Sequence, residues 1–222
     1  MSVVVLPRRA AQDDHPPAMD AVGFAAAIGA TPAQLADLTR YRTLLAEWNS
    51  RLNLVGPASL DDFWGRHAFD CAQLASLAPA ARTWVDIGAG AGLPGLVIAI
   101  LLRERPGARV HLVESQTKKC RFLETVAAEL ALPAEVHNAR AEDLAIAADA
   151  VTARAVARLE RLLAFAEPYL ARGATGLFLK GQSVEGEIAE ALRCWRFDVE
   201  QIPSRSDPTG RILKVERVSR VR

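Results

Sequence analysis

The feature that most constrains this chain is Asp86-Ile87-Gly88-Ala89-Gly90-Ala91-Gly92-Leu93-Pro94-Gly95, which joins one apolar run, Trp84 to Ile87, to another, Pro94 to Leu102. Glycines at such a junction let the backbone turn tightly and approach a ligand closely, and Pro94 suits a first helical turn, where no amide donor is required. The middle of the chain is thereby committed to a strand–loop–helix unit.

The surrounding pattern repeats that unit. Val110 to Val113 and Lys118 to Leu130 continue the alternation of strand and helix, followed by strand candidates at 134–138, 149–153, 175–180, 197–202 and 211–218 and helices at 158–170 and 184–195. Alternation of this kind predicts a doubly wound, mostly parallel α/β sheet. The last two strands are separated only by Pro203–Gly210, so they must pair antiparallel at one edge. Before residue 80 the pattern is helical. Thr31-Pro32-Ala33-Gln34 offers an N-cap, a proline at the first helical position and a capping-box partner, and Leu35, Leu38, Tyr41, Leu45, Trp48 and Leu52 follow at helical spacing. Ser59 and Asp62 predict another helix start, with Phe63, His67, Cys71 and Leu74 on one face. The expected organisation is a loose tail over 1–20, a helical extension over 21–80 and a ligand-binding domain over 81–222.

Two ligands compete for the loop. Gly90-x-Gly92-x-x-Gly95 satisfies the dinucleotide pattern, whereas Asp86-x-Gly88-x-Gly90-x-Gly92 resembles the first motif of S-adenosylmethionine-dependent methyltransferases. The acid at the strand end favours the methyl donor: a carboxylate there suits a cationic amino-acid group and would repel a pyrophosphate on the following helix. Glu114, at the end of the second strand, is placed to accept ribose hydroxyls in either case. Asn138 to Asp143, after the third strand, falls where an adenine edge is contacted.

Charge narrows the partner. The totals of 27 basic and 26 acidic residues decide nothing, but residues 103–121 carry six basic and two acidic groups and 203–222 carry the same, around an acidic stretch over 122–150. This segregation supports a polyanion partner. Three cysteines without a CxxC spacing offer neither a disulfide framework nor a zinc site and fit a reducing cytoplasm. The longest apolar run, Leu96 to Leu102, is about a third of a membrane span.

With these residues in view, the chain resembles the glucose-inhibited division protein B family, the bacterial 16S rRNA guanine-N7 methyltransferases. The resemblance is carried after residue 30 by Trp48-Asn49-Ser50-Arg51-Leu52-Asn53-Leu54, Arg66-His67-Ala68-Phe69-Asp70, the glycine loop, Arg140-Ala141-Glu142, Ala153-Arg154-Ala155 and Leu179-Lys180-Gly181-Gln182, in the family's order and spacing. Cys71 stands where serine is more frequent in the family, and Leu93 where phenylalanine also occurs. The resemblance implies a class I methyltransferase fold, Rossmann-like with seven strands and an antiparallel edge strand, plus the N-terminal helical extension. It further implies methylation of N7 of guanine 527 of 16S rRNA by S-adenosylmethionine, and low-level streptomycin resistance when activity is lost. The partner is 16S rRNA or the small ribosomal subunit, without a membrane, and the expected state is a cytoplasmic monomer.

Carried over by motif, cofactor contacts fall at Gly88, Leu93, Ala141, Glu142 and Arg154; the loop chemistry adds Asp86, Gly90, Gly92 and Glu114. RNA contacts are expected from Arg66, His67, Lys118, Lys119, Arg121 and Lys180, with Arg154 and Lys180 positioning the reaction and no metal. A ring-nitrogen target agrees with the residues themselves. The fourth strand ends Val151-Thr152-Ala153-Arg154, without the Asn/Asp-Pro-Pro-aromatic loop of exocyclic amine methylation, and no cysteine has the Pro-Cys or Thr-Cys setting of pyrimidine C5 methylation. Guanine N7 carries a lone pair and no proton, so no general base is expected. The alternatives are a nicotinamide-dependent oxidoreductase, a small-molecule methyltransferase and a non-catalytic ribosome-binding module.

Overall fold

A computed structural model of the chain describes residues 19–56 and 59–221. The expected loose tail therefore lies almost entirely outside the described residues. Helices α1 (Ala21–Ile28), α2 (Pro32–Leu52) and α3 (Asp70–Leu77) precede the alternating unit β1 (Thr83–Ile87), α4 (Gly95–Leu101), β2 (Arg109–Glu114), α5 (Thr117–Glu129), β3 (Ala134–Asn138), β4 (Ala150–Arg154), α6 (Leu159–Leu170), β5 (Thr175–Lys180), α7 (Val184–Ala191), β6 (Trp195–Pro203) and β7 (Arg211–Arg220).

The start of α2 follows its sequence. Thr31 accepts from the Gln34 amide and Gln34 accepts from the Thr31 amide, a complete capping box ahead of Pro32. The helix expected from Ser59 is corrected. Asp62 makes no capping bond, and Phe63–Phe69 instead forms a π-helical segment that runs directly into α3. The wider turn still buries Phe63, His67, Cys71 and Leu74, and it is the segment that meets the end of β4.

The seven strands lie in the order β3-β2-β1-β4-β5-β7-β6, all parallel except β7. The last two strands pair antiparallel at one edge as expected. Within that pair β7 is inserted between β5 and β6, so the outermost strand is β6. The order reverses between β1 and β4, and open α/β sheets bind ligands outside the strand ends at such a switch point. This is the class I methyltransferase fold.

One core cluster packs α4 and α5 together with α2, α3 and Phe24 of α1 against one face of the sheet; a second packs α6 and α7 against the other. The helical extension thus shares its core with the sheet. Tyr41 donates to the Ala91 carbonyl at 2.6 Å, fixing the back of the glycine loop, and Gln34 Nε2 donates to Leu101 O at 2.9 Å at the end of α4. Fully buried Tyr41, Phe63 and Trp84 are each worth about 2–3 kcal/mol of burial to this arrangement. Among the described residues, no helix is long and apolar enough to cross a membrane.

Candidate active site

Asp86, at the end of β1, organises the loop that follows it. Only 1% exposed, its carboxylate accepts from the Gly95 amide at 2.9 Å and from the Thr152 hydroxyl of β4 at 3.0 Å. Burial pushes the carboxyl up to about 7 in spite of these two bonds. A Cβ on Gly95 would stand 2.7 Å from this carboxylate, so the glycine is required by space. The sequence reading set Asp86 against the donor's cationic group; the structure places its carboxylate inside the loop, where it fixes the start of α4.

The cleft beyond the loop is lined by Gly88, Glu114, Ser115, Ala139 to Glu142, Val156 and Phe165, and holds about 100 Å³. Gly88 has φ +66°, and a Cβ there would lie 2.8 Å from Val156 Cγ2. Glu114 is buried, with one carboxylate oxygen accepting from Gly90 N at 3.1 Å and the other from Gln116 N at 2.8 Å. Both oxygens keep lone pairs for a ligand. Glu142 is exposed at the same cleft, and Tyr169 of α6 donates to Ala141 O at 2.7 Å, fixing the turn that carries both residues. Leu93 is buried in the core and Gly92 packs against Leu96, so neither presents a side chain to this cleft.

A second, larger cavity of about 480 Å³ opens at the ends of β4 and β5 and shares Val156 with the first. Its lining carries five basic residues, Arg66, Arg154, Arg158, Lys180 and Arg211, three acidic ones, Asp70, Glu187 and Asp207, and the hydroxyls of Ser204 and Ser206. Arg154 is held by three partners and remains partly open to the cavity. Its guanidinium donates to His67 Nδ1 at 2.7 Å and to Arg66 O at 3.1 Å, and lies 3.5 Å from the Asp70 carboxylate. Asp70 in turn accepts from Ser204 at 3.1 Å and Ser206 at 2.7 Å, tying the β6–β7 loop to the same arginine.

Two expected RNA contacts are corrected. His67 is 2% exposed, and burial, with the Arg154 and Arg66 charges, lowers it to about 4, so it is neutral and accepts Arg154's proton donor rather than reaching a phosphate. Lys180 points its ammonium at Ala157 O and Glu187 Oε2, both at 2.7 Å, with its side chain only 8% exposed. Its charge is neutralised within the fold. By contrast Arg66, Lys118 and Arg121 are exposed and Lys119 half-exposed, the last three on the first turns of α5 beside the Glu114 cleft.

Sequence reasoning missed Val156 and Phe165, apolar cleft walls that carry no signature, and Glu187, whose signal is a lysine ending a buried strand and therefore in need of a counter-charge. Ser204 and Ser206 were hidden in an ordinary turn-rich loop.

The GidB family model, described as rRNA small subunit methyltransferase G, matches residues 34–210. The chain belongs to that family. Relatives that carry the family name include proteins from Caulobacter vibrioides, 62% identical over 92% of this chain and 94% of its own length, and from Parvibaculum lavamentivorans, 47% identical over 90% of each. In fold the chain is similar to the O-methyltransferase TomG from Streptomyces achromogenes, TM-score 0.56 at 16% identity over 88% of this chain and 94% of that one. A cofactor-bound MTB protein, Rv0187, gives TM-score 0.56 at 18% identity over 93% of this chain and 100% of that one. Every motif that carries the resemblance lies inside the matched segment; Arg140 to Glu142 line the smaller cavity and Arg154 the larger, with Val156 in both.

Proposed function

We propose that the protein methylates N7 of a guanine in small-subunit rRNA, guanine 527 in 16S numbering, with S-adenosylmethionine as the donor. S-adenosylmethionine supplies an electrophilic methyl group. The residues fit it: Glu114 and Glu142 offer carboxylate acceptors for hydroxyls, the glycine loop offers backbone at close approach, and Val156 and Phe165 offer apolar walls. The carrying observation is that the neighbouring cavity is rich in arginine and that, among the described residues, each carboxylate lining it is already hydrogen-bonded within the fold. Asp70 is engaged by Arg154, Ser204 and Ser206, Asp207 by the amide and hydroxyl of Thr209, Glu187 by Lys180, and His67, beside the cavity, by Arg154.

A site without a base suits an acceptor that has a lone pair and no proton to lose. Arg154 and Arg66 present guanidinium donors of the kind that pair with guanine O6, and Arg211 adds charge for phosphates, while Arg158 is paired with Glu190. Cys71 is no nucleophile, since burial pushes its thiol up to about 12. Methyl transfer from labelled donor into 16S rRNA, an assembly intermediate and the small subunit, followed by nucleoside analysis, tests the reading. 7-Methylguanosine is the expected product; a label on an exocyclic amine, on pyrimidine carbon or only on small molecules overturns it.

A further inference from the structure

On the far side of the sheet from α4 and α5, at its β3 edge, three side chains converge that the donor and acceptor clefts do not use. His111 of β2 sits beside Glu135 of the edge strand β3, and His137 follows two residues later on the same face. His111 Nδ1 and His137 Nε2 are 2.9 Å apart, and the Glu135 carboxylate lies 3.6 Å from the first and 3.8 Å from the second. All three ligand atoms fall within 4.8 Å of one another.

We propose that this cluster is a site for a late first-row divalent metal ion, of the zinc, cobalt or nickel type. Imidazole nitrogens bind such ions at about 2.0–2.1 Å, and two nitrogens 2.9 Å apart subtend an angle of about 90° at that distance, opening to tetrahedral with a shift of less than about 0.5 Å. The Glu135 carboxylate, with Oε2 3.6 Å from His111 and Oε1 3.8 Å from His137, completes a two-histidine, one-carboxylate face. His111 is buried, His137 partly buried and Glu135 exposed, so the protein side is anchored while the remaining positions open to water.

The placement gives the ion a mechanical role. The next pair in register after Val113 and His137 is Glu114 and Asn138, and Asn138 donates to the Glu114 carbonyl at 3.1 Å. An ion held by His111, Glu135 and His137 rivets the edge strand to β2 one residue below the wall of the donor cleft. It takes no part in methyl transfer.

The test uses tag-free full-length protein, with zinc and cobalt as probes and magnesium as the control. Zinc is expected to raise Tm, and cobalt to give visible d–d absorption that zinc displaces, whereas magnesium changes neither. His137→Asn should weaken zinc binding roughly 100-fold and Glu135→Gln roughly tenfold, with both variants folded and the Tm shift lost in the first. Zinc affinity unchanged in His137→Asn and Glu135→Gln, or no cobalt spectrum in the wild type, overturns the proposal.

Discussion

Lys180 Nζ donates to Glu187 Oε2 at 2.7 Å, and the two side chains are only 8% and 10% exposed. Glu187 also accepts from the Leu159 amide at 2.8 Å and from Ser183 at 3.1 Å, so one carboxylate joins the end of β5, the start of α6 and the turn into α7. Burial pushes the carboxyl up, but the Lys180 ammonium and the other donors hold it below the usual range. Its contribution is therefore present above the ordinary carboxylate pKa and lost as pH falls through the lower folded value.

Removing that carboxylate leaves a buried ammonium and a helix-start amide unpaired. Glu187→Ala is expected to cost about 3–5 kcal/mol at pH 7, and less in acid. Urea denaturation at pH 7 checks this, and a loss under about 1 kcal/mol contradicts it.

Arg154→Lys keeps a charge but cannot bond His67, Arg66 O and Asp70 together. Because these partners belong to the fold as well as to the cavity, the variant should lose about 1–3 kcal/mol of stability and about 100-fold or more of single-turnover methyl transfer. Full transfer in a folded Arg154→Lys protein removes the arginine from the reaction.

Asp86 gives a pH signature of the opposite sign to Glu187. With the folded carboxyl near 7 and the unfolded one near its ordinary value of about 4, both states are protonated in strong acid, and the contribution is lost as pH rises from about 4 through 7. Asp86→Asn, which keeps an oxygen for Gly95 N, should therefore gain stability relative to wild type on going from pH 5 to pH 8, by up to about 3 kcal/mol. Parallel denaturation curves at the two pH values would refute this. Asp86→Ala should instead be destabilised at both.

RNA binding should weaken with salt through Arg66, Lys118, Lys119 and Arg121, with Lys180 no longer among the contacts. Three or four such contacts at a slope of about −0.7 each predict a loss of roughly 20- to 50-fold between 50 and 200 mM salt. Donor affinity should barely change. Filter binding across that range checks the slope, and Lys118→Ala/Lys119→Ala should flatten it by about half.

The sequence made legible whatever is local or periodic. Thr31 to Gln34 announced α2 because a capping box is a contact within four residues, and the strand–helix alternation announced the parallel sheet. The π-helical turn at Phe63–Phe69 was not legible, since Ser59 and Asp62 carry a start signal that Asp62 does not use. The placement of β7 inside β6 was open for the same kind of reason: either order satisfies an antiparallel pair. Gly88, Glu114 and Arg154 line the two cavities, a placement legible because motif and strand end coincide. Lys180 was misread because its counter-charge lies on the next helix, and the approach of His111 to His137 needed the β2–β3 register, which no spacing in sequence supplies.

The central claim is that the arginine-lined cavity receives one guanine of the small-subunit rRNA and methylates its N7. N7 methylation puts a positive charge on the ring, and borohydride followed by aniline then cleaves the strand at that nucleotide. Small-subunit rRNA from a strain lacking the protein should lose a single cleavage, at guanine 527, which returns with the wild-type gene and not with Arg154→Ala. Retention of that cleavage in the deletion strain contradicts the account.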